Sequence, residues 1–233
     1  MIRLNMVVEG QTEESFANRV IVPHLSSLGI YPNVQLIVPR KASTSRVLKG
    51  GWNSYSAVRS HLLRWMKNDH GDGVWFTTML DLYAIPPDFP GLAQAKKIED
   101  YVERVTHLED KFREDLLAEG LYRFMPYLQL HEFEALLFVD PQSLKWEFLE
   151  HDKQIQRLTN LAKQFQSPEE IDCGPTTAPS KRLISEIPEY QSRKASAGPV
   201  VAEKIGLPKL RDRCRHFGQW LTDIEKLSEP SVL

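Results

Sequence analysis

Cysteine is scarce in this chain: 233 residues hold two, Cys173 and Cys214. So far apart in sequence, they build neither a disulfide framework nor a CxxC zinc knuckle, and a reducing compartment is expected. No run approaches the roughly 20 apolar residues of a membrane span. The opening Met1 to Gly10 carries too short an apolar stretch for a secretory leader. A cytoplasmic protein outside the membrane is the expectation. Charge of one sign is missing too: Lys plus Arg is 29, Asp plus Glu is 31, and the formal charge is -2. The high pI of many nucleic-acid-binding domains is therefore absent, although a local basic strip can coexist with an acidic site. No G-x-x-x-x-G-K-[ST] loop, no G-x-S-x-G elbow and no nucleophilic cysteine setting occurs, which removes the P-loop and serine-hydrolase chemistries. Internal repeats and low-complexity tracts are lacking as well.

What is present is core material. Hydrophobic residues make up 42% of the chain, enough for one large domain or one domain with an appendage. Leu4 to Val8 is short, apolar and closed by Glu9-Gly10, the pattern of a buried strand. Thr12 then caps a helix with Glu13 and Glu14 in its first turn, where the macrodipole favours carboxylates. Phe16, Val20 and Ile21 give that helix an apolar stripe. Val34 to Val38 and Val74 to Leu80 are further strand candidates. After the prolines at 86, 87 and 90, Ala93 to Glu119 has the pattern of one long charged helix. Arg123 to Leu130 is a fourth strand, with Pro126 marking an edge or irregular position. Glu132 to Phe138, apolar on one side, predicts a helix directly after it.

Strands alternating with helices predict a mostly parallel, doubly wound α/β sheet. The expected division is an α/β core over 1–140 and a helical C-terminal extension over 141–233. Positive charge concentrates in that extension: Ala178 to Arg215 holds nine basic residues against four acidic ones.

In such a sheet ligands bind beyond the carboxyl ends of the strands. Glu9 follows the first strand, Asp81 the third, and His131, Glu132 and Glu134 the fourth. Carboxylates gathered this way repel one another unless a cation neutralises them. Mg²⁺ suits oxygen ligands of this kind and polarises phosphoryl oxygens; Mn²⁺ is the alternative. Gly10 permits a sharp strand-to-helix turn and the close approach of a phosphate.

Four stretches carry a resemblance. Val8-Glu9-Gly10-Gln11-Thr12-Glu13 resembles the V-E-G-x-T-E opening of Toprim domains in overcoming-lysogenization-defect type nucleases. Thr77 to Tyr83, Pro126 to Phe138 and Ala178 to Leu183 resemble segments of a bacterial domain-of-unknown-function family classed as Toprim-like, over nearly the whole chain. The resemblance implies a Toprim-like (Rossmann-like) fold. It implies acid/base or metal-binding work for Glu9, and makes Asp81 the start of a Mg²⁺-binding Asp-x-Asp motif. Here Tyr83 stands where the second Asp belongs. Either Glu132 or Glu134 supplies the missing ligand, or the site is weak or inactive. Some Toprim-like relatives work beside an ABC-type ATPase in phage defence, which makes such an ATPase an implied partner.

Two functions follow. The first is a Mg²⁺-dependent nuclease or phosphotransferase, with Glu9 and Glu132 as catalytic residues and Glu9, Asp81, Glu132 and Glu134 as metal ligands. Gly10, Lys181, Arg182, Lys194 and Lys204 would then hold phosphate or nucleic acid. The second is a non-catalytic Toprim-like module that docks on the ATPase. His131 is a candidate base or ligand against an ordinary structural role. His216 is expected as a packed helix residue, Trp146, Phe217 and Trp220 as packing. Gly198-Pro199 is expected to open a helix N-terminus, faintly like a helix-hairpin-helix backbone grip.

Overall fold

The computed structural model describes residues 1–37, 54–83, 85–171, 174 and 176–229. Val38 and Cys173 lie outside them. The sheet has the order β2-β1-β3-β4, with β5 also pairing β3, and every pairing is parallel. Its strands are β1 (Ile2–Val8), β2 (Ile30–Leu36), β3 (Val74–Asp81), β4 (Phe124–Met125) and β5 (Leu128–Gln129). β1 lies between β2 and β3, in registers that place Val8 opposite both Leu36 and Met79. Helices cover both faces, so the strands are nearly continuous apolar runs. The period of two sorts their side chains. Leu4, Met6 and Val8 face one core with Phe16, Phe133 and the C-terminal helices, while Val7, Phe76 and Leu80 face another with Leu62 and Phe112.

The expected mostly parallel sheet flanked by helices, with a helical C-terminal end, is the architecture found. Several boundaries differ for physical reasons. The second strand begins at Ile30, because Pro32 is tolerated on an edge strand. The long charged helix is two: α4 (Leu92–Ala95) and α5 (Tyr101–Leu117). Asp100 starts α5 by accepting the Glu103 N–H. The fourth strand is broken at Pro126 into β4 and β5.

Behind β1, α1 (Gln11–Phe16) runs through one π-helical turn (Ala17–Ile21) into α2 (Val22–Ser27). Its cap is Gly10, not Thr12. Between β2 and β3 lies α3 (Tyr55–Asn68). After β5 the chain enters a 3₁₀ segment, Phe133–Val139, buried along its whole length rather than on one side. The remainder is α6 (Asp152–Ala162), α7 (Pro179–Glu186), α8 (Tyr190–Ile205), α9 (Leu207–Arg213) and α10 (Arg215–Glu225). Apolar residues of these helices share one buried cluster with β1 and α1. Gly198 and Pro199 sit inside α8 and open no helix, so the backbone-grip expectation fails. Phe217 and Trp220 are buried as expected, whereas Trp146 is 66% exposed. No helix among the described residues is long and apolar enough to cross a membrane.

Candidate acidic site at the carboxyl edge of the sheet

Because every strand runs the same way, the carboxyl ends of β1, β3 and β5 meet at one edge. Glu9, Asp81, Glu132 and Glu134 arrive there together, and α1 adds Glu13. Each carboxylate has at least one anchored oxygen. Glu9 Oε2 accepts the Asp81 N–H at 3.0 Å, and Asp81 Oδ1 accepts the Phe133 N–H at 3.1 Å. Glu13 Oε2 accepts the Gly10 N–H at 2.9 Å. Glu132 Oε2 accepts the N–H of Ser180, in the first turn of α7, at 2.9 Å. Glu134 Oε1 accepts the Tyr190 hydroxyl at 3.3 Å and lies 3.2 Å from Lys194 Nζ. Outer partners of this kind fix the orientation of acidic side chains.

The carboxylates feel one another. Burial pushes Glu9 up to about 7; the Asp81 N–H opposes this, and the charges of Glu132 and Glu134 add to it. Burial also pushes Glu13 up to about 7, reinforced by Glu9 and Glu134. Asp81 is raised well above the usual carboxylate range by burial, then by Glu13, Glu9, Glu134 and Glu132. Burial raises Glu134, while Lys194 pulls it back. Glu13 is the member that sequence reading missed as a site residue, because its place in a first helical turn already explained it. Its spacing of four from Glu9 was the available signal.

The donor set is carboxylate oxygen, which fits a hard cation such as Mg²⁺ or Mn²⁺. Among the described residues, no group of three or more His, Cys, Asp or Glu stands in ready-made metal-ligand geometry.

The remaining site candidates divide. Gly10 is at the edge, with its N–H already given to Glu13. Lys181 follows Ser180 and is exposed. Arg182 donates to the Thr177 carbonyl and lines a cavity between α6 and α7. Lys204 lies 4.8 Å over the Trp146 ring, ten residues or roughly 15 Å along α8 from Lys194. Much of the basic stretch is spent on acids outside it: Arg193 on Glu147, Lys209 on Asp140, Arg211 on Glu225. His131, at φ 65°, stands at the junction before Glu132, its Nε2 2.9 Å from the Glu169 carbonyl oxygen. Tyr83 is exposed. His216 is more than a packed residue, since its Nε2 lies 3.0 Å from Glu109 Oε1. A cavity of about 310 Å³ between α5 and α10 borders that pair, away from the acidic edge.

A parallel α/β sheet with carboxylates gathered where its strands end defines an α/β protein with an acidic edge site. Residues 8–225 match the family described as "Domain of unknown function (DUF4276)", and the chain belongs to that family. No curated protein matches the chain. Among solved structures it is similar to the C-terminal region of the Burkholderia pseudomallei OLD protein, at 16% identity. That alignment covers 95% of this chain and 98% of the other, with a TM-score of 0.43. A likeness at that level assigns neither fold nor activity.

Proposed function

We propose that this chain is a Toprim-like enzyme that uses Mg²⁺ or Mn²⁺ on phosphodiester bonds, as a nuclease or phosphotransferase, with a role in phage defence. The observation that supports it best is the meeting of Glu9, Glu13, Asp81, Glu132 and Glu134 at one sheet edge, each oriented by a hydrogen bond. The V-E-G-x-T-E resemblance points the same way. Glu9, Glu13, Asp81, Glu132 and Glu134 would hold the cation, which supplies Lewis acidity toward a phosphoryl oxygen. Glu9, held near neutrality by burial, has the proton affinity of a general acid/base. Lys181, Lys194 and Gly10 are the phosphate-binding candidates closest to these acids. Titration calorimetry tests the reading: wild type binds Mg²⁺ or Mn²⁺, and Glu9→Gln and Asp81→Asn each weaken binding at least tenfold. Folded wild type that takes up neither ion, with and without a phosphodiester present, ends the proposal.

The second reading is a non-catalytic module that docks on an ABC-type ATPase. Tyr83 favours it, since an exposed aromatic occupies the place of the second Asp in the Toprim-like pattern. Co-purification with such an ATPase, combined with unaltered ATPase coupling in Glu9→Gln, would select it.

A further inference from the structure

Two helices of the C-terminal half face each other across polar side chains. On α6, Arg157, Asn160 and Gln164 share one helix face by their spacings of three and four, and all three line a groove of about 440 Å³. Its other wall is α7, which supplies Arg182, Ser185 and Glu186 at the same kind of spacing. That volume lies within the range of small-molecule sites, about 300–1,000 Å³. None of the acids at the sheet edge lines the groove.

The hydrogen-bonding capacity left over in the groove has one sign. Its carboxylate is already occupied, since Glu186 Oε2 accepts both Nε and Nη2 of Arg157, at 2.9 and 2.6 Å. Asn160 Oδ1 accepts the Gln156 side-chain amide at 3.0 Å, which leaves the Asn160 amide hydrogens to donate. Arg182 gives its Nε to the Thr177 carbonyl and keeps both Nη groups. Among the described residues, neither those Nη groups, nor the Asn160 amide hydrogens, nor the Ser185 hydroxyl has a hydrogen-bond partner. Two guanidinium groups thus stand against one carboxylate, with donors to spare. Such a surface selects an anion, and the planar guanidinium fork matches phosphate oxygens. Leu158 and Leu161 line the same groove, an apolar wall that suits an organic group and is of no use to inorganic phosphate.

We infer that the groove between α6 and α7 binds an organic phosphate of mononucleotide size, free or as the phosphorylated end of a strand. The phosphate sits on Arg182, Asn160 and Ser185, and the organic part lies against the leucines. The site needs no metal and stands apart from the acidic edge, so it does not depend on the metal-dependent reading above.

Calorimetry of the full chain in excess chelator tests it. The probes are the nucleoside 5′-monophosphates, a 5′-phosphorylated trinucleotide, and the same compounds without the phosphate. Wild type is expected to bind a phosphorylated probe and to hold its phosphate-free counterpart about tenfold or more weakly. Tighter binding of the monophosphate identifies a free ligand, and tighter binding of the trinucleotide a strand end. Arg182→Gln and Asn160→Asp are each expected to weaken binding about tenfold or more. Asn160→Asp puts a negative charge at an exposed position of the groove and leaves the Arg182 bond to Thr177 in place. Lys163→Gln removes a charge from the end of α6 outside the groove and is expected to bind like wild type. No binding of any phosphorylated probe to wild type overturns the inference. Equal affinity for the phosphate-free compounds overturns it too, as does undiminished binding in Asn160→Asp or an equal loss in Lys163→Gln. Each of these results leaves Mg²⁺ binding at the sheet edge to its own test.

Discussion

The Glu9 carboxylate is fastened to the backbone of Asp81, whose N–H it accepts at 3.0 Å. The acid that ends β1 is thereby held by the residue that ends β3, and Asp81 in turn accepts the Phe133 N–H at 3.1 Å. This chain of bonds crosses the sheet edge from the first strand to the 3₁₀ segment. It ties the acids to the backbone of the strands and the 3₁₀ segment.

Holding Glu9 there costs stability as pH rises. Its folded pKa, about 7, lies above the ordinary 4.5, so between those values the folded state binds more protons than the unfolded one. Stability is then greatest below about 4.5 and is lost as pH climbs through 7. Without divalent ions, the urea midpoint of wild type is expected to fall across this window. Glu9→Gln, which cannot ionise, makes the fall shallower, with Glu13 and Asp81 keeping part of it. A midpoint indifferent to Glu9→Gln between pH 5 and 8 contradicts the account.

Tyr190 donates its hydroxyl to the buried Glu134 at 3.3 Å. Tyr190→Phe keeps the ring and removes the hydroxyl donor to Glu134, while Lys194 stays. The expected loss is about 1–2 kcal/mol by urea denaturation at pH 7.5. A change below about 0.3 kcal/mol would show that the hydroxyl bond contributes nothing net.

Gly198 leaves room that no side chain can share. A Cβ there would sit 2.9 Å from the Tyr190 hydroxyl and 3.2 Å from Phe133 Cε1. Gly198→Ala is expected to destabilise by about 1–3 kcal/mol through overpacking. Part of that cost disappears in the Tyr190→Phe background, where the closest atom is gone. Strict additivity of the two changes would place the strain elsewhere.

The parts of this fold legible in sequence were those with one dominant signal. Val74 to Leu80 is a strand by composition, and Glu9 and Asp81 are site candidates because they end apolar runs. Illegible features depend on competition between elements. Asp100 stops a charged helical pattern and restarts it, since its side chain offers the Glu103 N–H a cap. Phe133 to Val139 has one-sided polarity in sequence but is enclosed on all sides, because helices beyond residue 150 close over it. Trp146 has the composition of a core residue and remains exposed, with Lys204 over its ring. The cationic stretch looked free because its acidic partners, Glu134, Asp140, Glu147 and Glu225, lie outside it.

His216 and Glu109 make the second titrating pair, and its behaviour separates cleanly from the acidic edge. Glu109 Oε1 lies 3.0 Å from His216 Nε2 and also accepts the Leu128 N–H at 2.7 Å, tying α10 and α5 to β5. Burial alone would depress His216, but the hydrogen bond and charge of Glu109, with the charge of Glu169, outweigh it and raise the imidazole above 6.5. The pair's contribution is therefore complete below 6.5 and is lost as pH rises through the folded value. Glu109→Ala strands a buried imidazole and leaves the Leu128 N–H without its acceptor, an expected loss of about 3–5 kcal/mol. Glu109→Gln keeps an acceptor for Leu128 and removes only the charge. Nuclear magnetic resonance of the His216 ring in a Glu9→Gln background should show its pKa drop on Glu109→Gln. An unmoved His216 titration would mean that Glu109 stabilises the neutral ring as well as the charged one.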